Sequence, residues 1–355
     1  MSDIADLSKG IGISKDQLSA DGEPCILYGE LYTKYKSETI KEVISKTNID
    51  NTTLVKSKAN DVIIPCSGET AEEIATARCV LKDDILLGGD LNIIRLHGYD
   101  GSFMSYQLNG KRKYDIAKVA QGVSVVHLYG EHLKNIKTIN PSLNEQKKIA
   151  NLLSLLDERI STQNKIIDKL QSLIKGIRDG AFGKLRKSVG FNAMIGDVLS
   201  YEQPQSYIVE DTEYTNEGTP VLTANKAFIL GYTSEIEGIY DKGDCIIFDD
   251  FTLDCKYVDF PFKVKSSAIK ILTAKNKELL RYTFEFLKYL DLSTNEHRRH
   301  YIAETQNQEF ILPTVQIVKT IAYAFSALSL WQETVVKQRY TFEKQKQYLL
   351  RQMFI

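Results

Sequence analysis

Residues 141–187 read PSLNEQKKIANLLSLLDERISTQNKIIDKLQSLIKGIRDGAFGKLRK. Apolar side chains recur there at steps of three, four or seven, at Ile149, Leu153, Leu156, Ile160, Ile167, Leu170, Ile174 and Ile177. This heptad spacing predicts one long helix whose apolar seam needs a partner helix. Pro141 is typical of a first helical turn, whereas Gly180 and Gly183 favour a helix end. Because most of the opposite face is charged or amide, we expect it to be exposed.

The partner helix is predicted in the same chain, at residues 313–355, which read PTVQIVKTIAYAFSALSLWQETVVKQRYTFEKQKQYLLRQMFI. When this stretch is shifted by 172 positions onto the first, nine of 42 aligned residues are identical, against roughly two to three expected from composition. The chain therefore repeats the order domain, helix, domain, helix. We expect one set of seam residues to bury against another, namely Ile149, Leu153, Leu156 and Ile160 against Ile321, Phe325 and Leu328. Two ordinary amphipathic helices, for example a dimerisation coiled coil, are the alternative.

Length and composition favour two globular domains: the chain has 355 residues, of which 43% are hydrophobic and 26% charged. No apolar run approaches the ~20 residues that span a bilayer, so we expect no membrane contact. The N-terminus lacks a basic segment followed by an apolar run, as a secretory signal would have. The five cysteines form no C-x-x-C pair and fit reduced thiols in the cytoplasm: Cys25, Cys66, Cys79, Cys245 and Cys255.

Charge is spread unevenly, although the net charge is only −1. Residues 141–187 hold 10 basic and 5 acidic side chains, and residues 313–355 hold 6 and 2. Residues 188–312 hold 12 basic and 20 acidic side chains. Since nucleic-acid binders usually carry a basic surface, the chain needs local basic patches or a partner to bind DNA well.

The two remaining regions are predicted to be α/β domains. In residues 1–140, apolar runs predict strands around residues 26–28, 62–64, 85–87 and 123–126 of a mostly antiparallel sheet. A short helix over residues 70–79 would be capped by Thr70, and Asn109-Gly110 would form a hairpin turn. A further helix is expected over residues 277–290.

Residues 188–312 loosely repeat the plan of residues 1–140. Gly22-x-Pro24 before one apolar run matches Gly218-x-Pro220 before another. The run beginning at Asp84 likewise resembles the run beginning at Asp244. The repeat therefore extends to the globular domains as well as to the helices.

Catalytic signatures are not found: the sequence has no P-loop motif, no G-x-G-x-x-G after a strand, no H-E-x-x-H and no G-x-S-x-G. The histidines show no metal-ligand spacing. The segment Asp259-Phe260-Pro261-Phe262 approaches the loop with which amino-methyltransferases hold a flipped base, but Phe260 stands where the first proline belongs. We therefore predict a non-catalytic chain without a catalytic residue, metal or cofactor of its own.

This arrangement resembles the specificity (S) subunit of a Type I restriction-modification system over nearly the whole chain. The most specific similarity is Pro141-x-Leu143-x-Glu145-Gln146-x-x-Ile149-Ala150, followed by Leu153, Leu156-Asp157, Ile160 and Leu170. The opening segments 9–15 and 28–32 resemble the start of a first target-recognition domain, and segment 256–262 is similar to a motif of second ones. The second helix carries Ile317-Val318 where the first has Glu-Gln, so the repeat departs from the pattern there.

The resemblance implies an α+β fold with two target-recognition domains, 1–140 and 188–312. Two long antiparallel helices, 141–187 and 313–355, would separate them as a coiled-coil spacer with a pseudo-twofold internal repeat. A helix of ~35 residues is about 50 Å long, more than the ~34–36 Å of one DNA turn. Each domain would read half of a bipartite, asymmetric site in double-stranded DNA.

The resemblance also implies partners that carry the chemistry. Two methyltransferase (M) subunits would dock on the helices and bring S-adenosylmethionine. Motor-nuclease (R) subunits, which use ATP and Mg, would join for restriction. Trp331 is predicted first for core packing and second as an interface anchor.

The residues expected to contact DNA carry donors or acceptors that suit bases or phosphates. In the first domain they are Lys9, Ser14, Lys15, Tyr28 and Tyr32 for bases, and Lys111, Arg112 and Lys113 for phosphates. In the second domain they are Thr223, Asn225, Lys226, Lys256, Tyr257, Arg298, Arg299, His300 and Tyr301. For each residue, a solvated surface role is the alternative.

Three other functions remain open. The chain could be the specificity subunit of a related two-subunit system whose partner both methylates and cuts. It could be a coiled-coil scaffold whose domains bind protein and have no DNA affinity. An enzyme of unrecognised type is the third alternative, and the missing motifs argue against it.

Overall fold

The computed structural model describes residues 1–50, 52–122, 125–224, 227–296 and 298–354. The chain divides into two compact units: unit 1 is Met1–Lys165 with Val336–Ile355, and unit 2 is Ile166–Val335. The predicted class, mixed helix and sheet in two domains with two long helices, is confirmed. The C-terminal segment thus belongs to the same unit as the N-terminal domain.

Unit 1 holds short strands and mostly short helices. The strands are β1 (Ala5–Lys9), β2 (Leu18–Ser19), β3 (Glu23–Ile26), β4 (Thr39–Ile40), β5 (Ser45–Thr47), β6 (Val55–Lys56), β7 (Asp61–Pro65), β8 (Ser67–Gly68), β9 (Arg78–Val80), β10 (Leu86–Leu87), β11 (Leu91–Leu96) and β12 (Val126–His127). The helices are α1 (Glu30–Thr33), α2 (Ala71–Ile74), α3 (Gly101–Asn109), α4 (Lys113–Val119), α5 (Gly130–Lys134) and α6 (Leu143–Ser188), of which α6 continues into unit 2.

Two five-stranded sheets form the framework of unit 1. The larger has the order β1-β11-β7-β9-β4, antiparallel except where β4 joins β9. The smaller has the order β2-β5-β3-β10-β6 and contains a parallel pair, β3 with β10. Apolar residues of β7 alternate between two cores: Val62 and Ile64 pack towards α3, whereas Ile63 packs with Ile26 and Leu87. This alternation follows from the two-residue period of a strand.

Unit 2 repeats the strand-rich plan. Its strands are β13 (Ala193–Met194), β14 (Leu199–Glu202), β15 (Thr219–Leu222), β16 (Ile229–Thr233), β17 (Cys245–Asp249), β18 (Cys255–Val258), β19 (Lys263–Val264), β20 (Ile269–Ala274) and β21 (Glu309–Phe310). Its helices are α7 (Ile195–Val198), α8 (Leu280–Leu290) and α9 (Val315–Gln352), of which α9 ends in unit 1.

The sheets of unit 2 have the same connectivity as those of unit 1. The antiparallel order β14-β20-β17-β18 matches β1-β11-β7-β9, and α8 follows β20 as α3 follows β11. The second sheet again contains a parallel pair, β15 with β19. Gly22 and Gly218 precede equivalent strands at φ +107° and +118°, a conformation that glycine adopts readily. The predicted match between these glycines is confirmed.

The predicted match between Asp84 and Asp244 is wrong. Asp84 lies before β10 in the smaller sheet of unit 1, whereas Asp244 lies before β17 in the larger sheet of unit 2. Its topological counterpart is Asp61, at the start of β7. Asp84 and Asp244 are each followed by apolar residues. Because strands of both sheets can begin in this way, the pattern alone does not show which strands are equivalent.

Two other local predictions have opposite outcomes. The short helix capped by Thr70 is confirmed, because the Glu73 amide donates to the Thr70 hydroxyl at 3.2 Å. The hairpin at Asn109-Gly110 is wrong, since this pair links α3 to α4. The Asn109 side chain instead exchanges hydrogen bonds with the backbone of Ala77, which fixes the end of α3.

Other predicted elements are found in part. The strand expected at residues 123–126 includes Val123 and Ser124, which lie outside the described residues; β12 covers Val126 and His127. The helix expected over residues 277–290 is present as a 3-10 turn followed by α8.

Helix α6 does not end at Gly180 or Gly183 but continues to Ser188. Both glycines lie in open space, so they neither pack nor force a turn. The helix continues because Phe182 and Leu185 are buried in the core of unit 2. Gly190, at φ +74°, provides the left-handed residue after the helix.

The two long helices run antiparallel within each unit. In unit 1, Leu153 packs with Phe354, and Asn164 lies beside Arg339. In unit 2, Leu170 and Ile174 pack with Phe325, whereas Phe182 and Leu185 share a core with Val318. Within each unit, residue numbers therefore decrease along α9 in the direction in which they increase along α6.

The predicted partners across the seam are consequently wrong. Leu153 and Ile149 pack against the C-terminal end of α9 and not against Phe325, Ile321 or Leu328. The repeat aligns the two helices in parallel, whereas antiparallel packing places the start of one beside the end of the other. Leu153, Leu156 and Phe325 are nevertheless buried, as expected of seam residues, and Ile177 is exposed.

Candidate nucleic-acid interface

Four of the residues predicted to contact DNA line one groove of unit 1. The groove has a volume of ≈690 Å³, and Ser14, Lys15, Tyr28 and Tyr32 are among its lining residues. Lys15 lies in a 3-10 turn after β1, and the two tyrosines flank the turn from β3 into α1. Residues that are up to 18 positions apart in the sequence are thus brought together by the smaller sheet.

The groove offers an ammonium and two phenol hydroxyls. Lys15 is exposed, and the rings of Tyr28 and Tyr32 are half-buried. Burial raises the pKa of Tyr32, with smaller contributions from Tyr28 and nearby glutamates, so its hydroxyl stays a donor at neutral pH. Ser14 has a local role instead, because its amide and hydroxyl both contact the Gln17 side chain.

A buried carboxylate holds the turn beneath this groove. Glu30 accepts a hydrogen bond from the Leu27 amide at 3.1 Å and one from the Lys34 ammonium at 2.6 Å. The Ser45 hydroxyl donates to the same carboxylate. These contacts fix the backbone that carries Tyr28 and Tyr32, which a surface for base contacts requires.

Lys9 lies in a different groove. Its ammonium is 5.4 Å from the centroid of the Tyr129 ring, and Asn92 and Lys134 also line this groove of ≈430 Å³. The structure therefore does not group Lys9 with Lys15, although both belong to the opening segment of the sequence.

The three consecutive basic residues at 111–113 have different environments. Lys111 is exposed, whereas Arg112 pairs with Asp115 at 3.2 Å. Lys113 is half-buried, and burial together with the nearby Arg78 lowers its pKa. These residues lead into α4 and do not follow a hairpin turn, and of the three only Lys111 projects into solvent as a phosphate contact would.

In unit 2, Lys256 and Tyr257 lie on the edge strand β18 and are both half-buried. The Tyr257 hydroxyl donates to Asp244 at 2.7 Å, and the Arg281 guanidinium lies 5.0 Å from its ring centroid. Burial and Asp244 raise the pKa of Tyr257. Thr223 is 8% exposed, and Asn225 and Lys226 lie outside the described residues.

The segment 298–301 is mainly structural, contrary to the prediction. His300 and Tyr301 are each 1% exposed, so neither can meet a base in this conformation. Their amides donate to the Asp250 carboxylate at 3.0 and 2.7 Å. Asp250 in turn lies 3.5 Å from the buried Lys270 ammonium. The sequence contained a signal for this structural role of Asp250, because Asp249-Asp250 directly follows an apolar run.

The arginines of this segment differ from one another. Arg298 forms ion pairs with Glu296 and Glu304, and Glu304 also contacts the His300 ring at 2.9 Å. Arg299 is exposed. Within the described part of the patch, Arg299 is therefore the better candidate for a phosphate contact.

Exposed apolar side chains mark the outer faces of both long helices. On α9, Tyr323, Leu330 and Trp331 of unit 2 are 79%, 65% and 52% exposed. On α6, Leu152 and Leu155 of unit 1 are similarly exposed. The prediction that Trp331 packs in the core is therefore wrong, because the seam of α9 lies along Phe325 and the tryptophan points elsewhere. We call Tyr323, Leu330 and Trp331 the α9 stripe.

The motif at the start of α6 has a local explanation. Gln146 is 1% exposed; its side-chain oxygen accepts from the Asp100 amide at 2.9 Å, and its nitrogen donates to Pro141 at 2.8 Å. Asp157 accepts from Tyr106 and Ser37 at 2.7 and 2.9 Å. Both side chains attach the helix to the first domain.

Known proteins support the resemblance. Residues 1–172 match the family model described as the Type I restriction modification DNA specificity domain. The chain is 44% identical over 126 residues to the Type I restriction enzyme EcoR124I/EcoR124II specificity subunit of Escherichia coli, covering 34% of this chain and 31% of that protein. It is 29% identical over 182 residues to the MjaVIII specificity subunit of Methanocaldococcus jannaschii, covering 51% and 41%.

Solved structures show the same fold. The S subunit of a Type-I restriction-modification system from M. genitalium superposes with a TM-score of 0.68 at 17% identity, covering 100% of this chain and 94% of that one. A chain from a structure of the type I R-M system, described for complex assembly and conformational transition, gives 0.52 at 12% identity and covers 98% and 95%.

The match to the family of the Type I restriction modification DNA specificity domain covers residues 1–172, just under half of the chain. The aligned regions span less than half the length of the two relatives compared by sequence. None of the helices in the described parts of the chain has the long apolar stretch that a bilayer crossing requires.

Proposed function

We propose that the chain is the DNA-recognition subunit of a Type I restriction-modification complex and that it performs no catalysis itself. The two target-recognition domains, 1–140 and 188–312, would each read one half of a bipartite, asymmetric DNA site. The observation that carries the proposal is the repetition of one fold in both units, joined to a specificity-domain match in the first. Two copies of one reading fold suit a site with two half-sites.

In unit 1 we propose that the groove of Lys15, Tyr28 and Tyr32 contacts base edges. An ammonium suits guanine, and phenol hydroxyls donate to or accept from base edges. In unit 2 the corresponding candidates are Lys256 and Arg299. Asn225 and Lys226 stay predictions from the sequence.

The partners are proposed from the helices. Two methyltransferase subunits would dock on the exposed apolar faces of α6 and α9, including the α9 stripe, and would bring S-adenosylmethionine. Exposed apolar patches of this kind mark protein interaction sites, and a tryptophan is a frequent anchor. Motor-nuclease subunits with ATP and Mg would join the assembled complex. Action in the cytoplasm agrees with the five free thiols.

Domain exchange tests this function. Residues 188–312 are replaced by the second recognition domain of another specificity subunit, and the methylated sequence is determined for the assembled complex. One half of the recognised sequence should change while the other half stays the same. A change in both halves would contradict independent reading by the two domains.

The acidic second domain favours one rival, a scaffold that binds protein. This rival predicts no DNA affinity even with a methyltransferase present. A binding assay of the purified chain and methyltransferase with DNA therefore separates the two functions. The rival that differs only in its partner, a methylase-nuclease system, is distinguished by the neighbouring gene.

A further inference from the structure

A buried ionic cluster in unit 1 joins the first domain to both long helices. The Lys346 ammonium of α9 lies 2.6 Å from Asp157 of α6 and also contacts Glu38 of the domain. The exposed fractions of the three side chains are 12%, 10% and 8%. We call these three residues the first clamp.

The first clamp is surrounded by further polar partners. Tyr106 and Ser37 donate to the second oxygen of Asp157, at 2.7 and 2.9 Å. The buried Arg78 supplies a second positive charge near Glu38. The two carboxylates thereby face two cations, an arrangement that offsets part of the cost of burying each charge.

A second buried cluster performs the same connection in unit 2 with different residues. Glu285 of α8, 1% exposed, accepts from Arg178 of α6 at 2.8 and 2.9 Å and from Arg281 at 2.8 Å. Arg281 also donates to the Phe325 carbonyl of α9 at 3.1 Å and to the Ser329 hydroxyl. Arg178, Arg281 and Glu285 form the second clamp.

The two clamps lie at partly equivalent places of the helix repeat. Shifting Asp157 by the repeat offset reaches Ser329, whose hydroxyl Arg281 contacts in the second clamp, whereas shifting Lys346 reaches Ile174. Each unit therefore connects its domain to both helices through buried charges, although the charged residues differ. Buried charges at this connection in both units point to a shared requirement, a fixed placement of each domain on its helices.

Buried ion pairs are better suited than apolar packing to fixing a domain in one arrangement on its helices. A buried ion pair often adds little stability over apolar side chains of similar size, but it can select one arrangement over its neighbours. Apolar contacts such as Leu153 with Phe354 are non-directional and tolerate small sliding movements. Hydrogen bonds to charged groups lose strength when distance or angle changes.

We propose that the clamps are positioning devices that fix the orientation of each recognition domain on the helix segments of its own unit. This inference rests on the proposed function: in a DNA-recognition subunit, the clamps would restrict the length of the DNA spacer that the complex accepts between its two half-sites. One added base pair moves a half-site by about 3.4 Å and rotates it by roughly 34°. A domain held by a clamp resists such a displacement, whereas a domain held by apolar contacts alone follows it more readily.

The test uses the complete chain assembled with its methyltransferase. Substrates carry the two established half-sites with the native spacer or with one base pair more or fewer. The first-clamp variant combines Lys346→Met with Asp157→Asn, which removes one charge of each sign, nearly preserves the volumes and leaves Glu38 near the buried Arg78. We expect the preference for the native spacer to fall about tenfold, with both half-sites unchanged.

Two controls separate positioning from general damage. Lys346→Arg keeps the charge and should retain most of the spacer preference. The exposed pair Lys41 and Glu158 also joins the domain to α6, with side chains 50% and 56% exposed. Its neutral variant, Lys41→Met with Glu158→Gln, should leave the preference unchanged because exposed pairs contribute little.

Several outcomes would overturn the proposal. An assembled first-clamp variant with unchanged spacer preference removes the positioning role, and so does a variant whose half-sites change. If this variant does not assemble, the second-clamp variant Arg178→Met, Arg281→Met and Glu285→Leu is measured in the same way. If neither variant assembles, the clamps are needed for folding and the positioning role is overturned. A wild-type complex that methylates no bipartite site contradicts the proposed function itself, independently of the clamps.

Discussion

Phe354 attaches the end of α9 to the first domain, and its removal should specifically weaken unit 1. The side chain is fully buried with Phe103, Ala150 and Leu153. Its ring centroid lies 5.3 Å from that of Phe103 at an interplanar angle of 59°. Replacing a buried phenylalanine by alanine leaves a cavity and costs about 3–5 kcal/mol. Loss of the aromatic pair is part of that cost.

The free energy lost by Phe354→Ala can be converted into a melting temperature. A unit of about 150–250 residues loses roughly 2–4 °C per kcal/mol. We therefore expect the transition of unit 1 to fall by about 6–20 °C, as measured by differential scanning calorimetry. Hydrogen exchange should show faster exchange in peptides of residues 1–165 and little change in unit 2.

A matched control lies six residues earlier, on α9. Tyr348 is 64% exposed, so Tyr348→Ala should change the free energy of unfolding by no more than about 0.5 kcal/mol. Equal effects of the two substitutions, or a loss below about 1 kcal/mol for Phe354→Ala, would refute the docking of the C-terminal segment on the first domain.

Three further predictions follow from the helices and the cores. Trp331→Ala should weaken methyltransferase binding by about 30-fold, measured by titration calorimetry, without changing the melting temperature; unchanged affinity would exclude the α9 stripe from the interface. Removing one heptad from each long helix should shorten the DNA spacer and leave the half-sites unchanged, as read from methylated sequences; an unchanged spacer would contradict a ruler role for the helices. Burial raises the pKa of the Cys66 thiol from 9.0 to about 11, so alkylation at pH 8 should be about 100-fold slower than in urea. Because the raised pKa favours the folded state only while the thiol is protonated, this contribution to stability should be lost between pH 9 and about 11.

The long helices and the two-domain plan could be predicted because they depend on local periodicity. A heptad pattern is present in one helix whatever residues pack against it. It therefore predicted the helices but not which residues pair across the seam. The antiparallel pairing of Leu153 with the end of α9 depends on where the second domain returns the chain. That information is distributed over the whole sequence and is not present in the helix itself.

The residues of the candidate site could be predicted where they lie on turns that the nearby sequence specifies. Lys15, Tyr28 and Tyr32 meet in one groove because the turns that carry them flank the same small sheet. His300 and Tyr301 were misassigned because a basic-aromatic cluster resembles a surface patch in sequence, whereas Asp250, fifty residues earlier, anchors it inside the unit.

The clamps were not predictable for a related reason. Glu38, Asp157 and Lys346 are ordinary charged residues in three distant segments, and most such residues are exposed. Only the fold brings them together and buries them. Asp157 alone carried a sequence signal, through its place in the motif of the first long helix.

As the proposed DNA-recognition subunit, this chain would direct methylation to a bipartite DNA sequence. The most direct measurement is a modified-base map of host DNA with and without the gene, in the presence of its neighbouring methyltransferase gene. We expect N6-methyladenine to disappear from one bipartite motif when the gene is deleted and methylation elsewhere to be unchanged. An active methyltransferase whose methylation pattern is the same with and without the chain would contradict it.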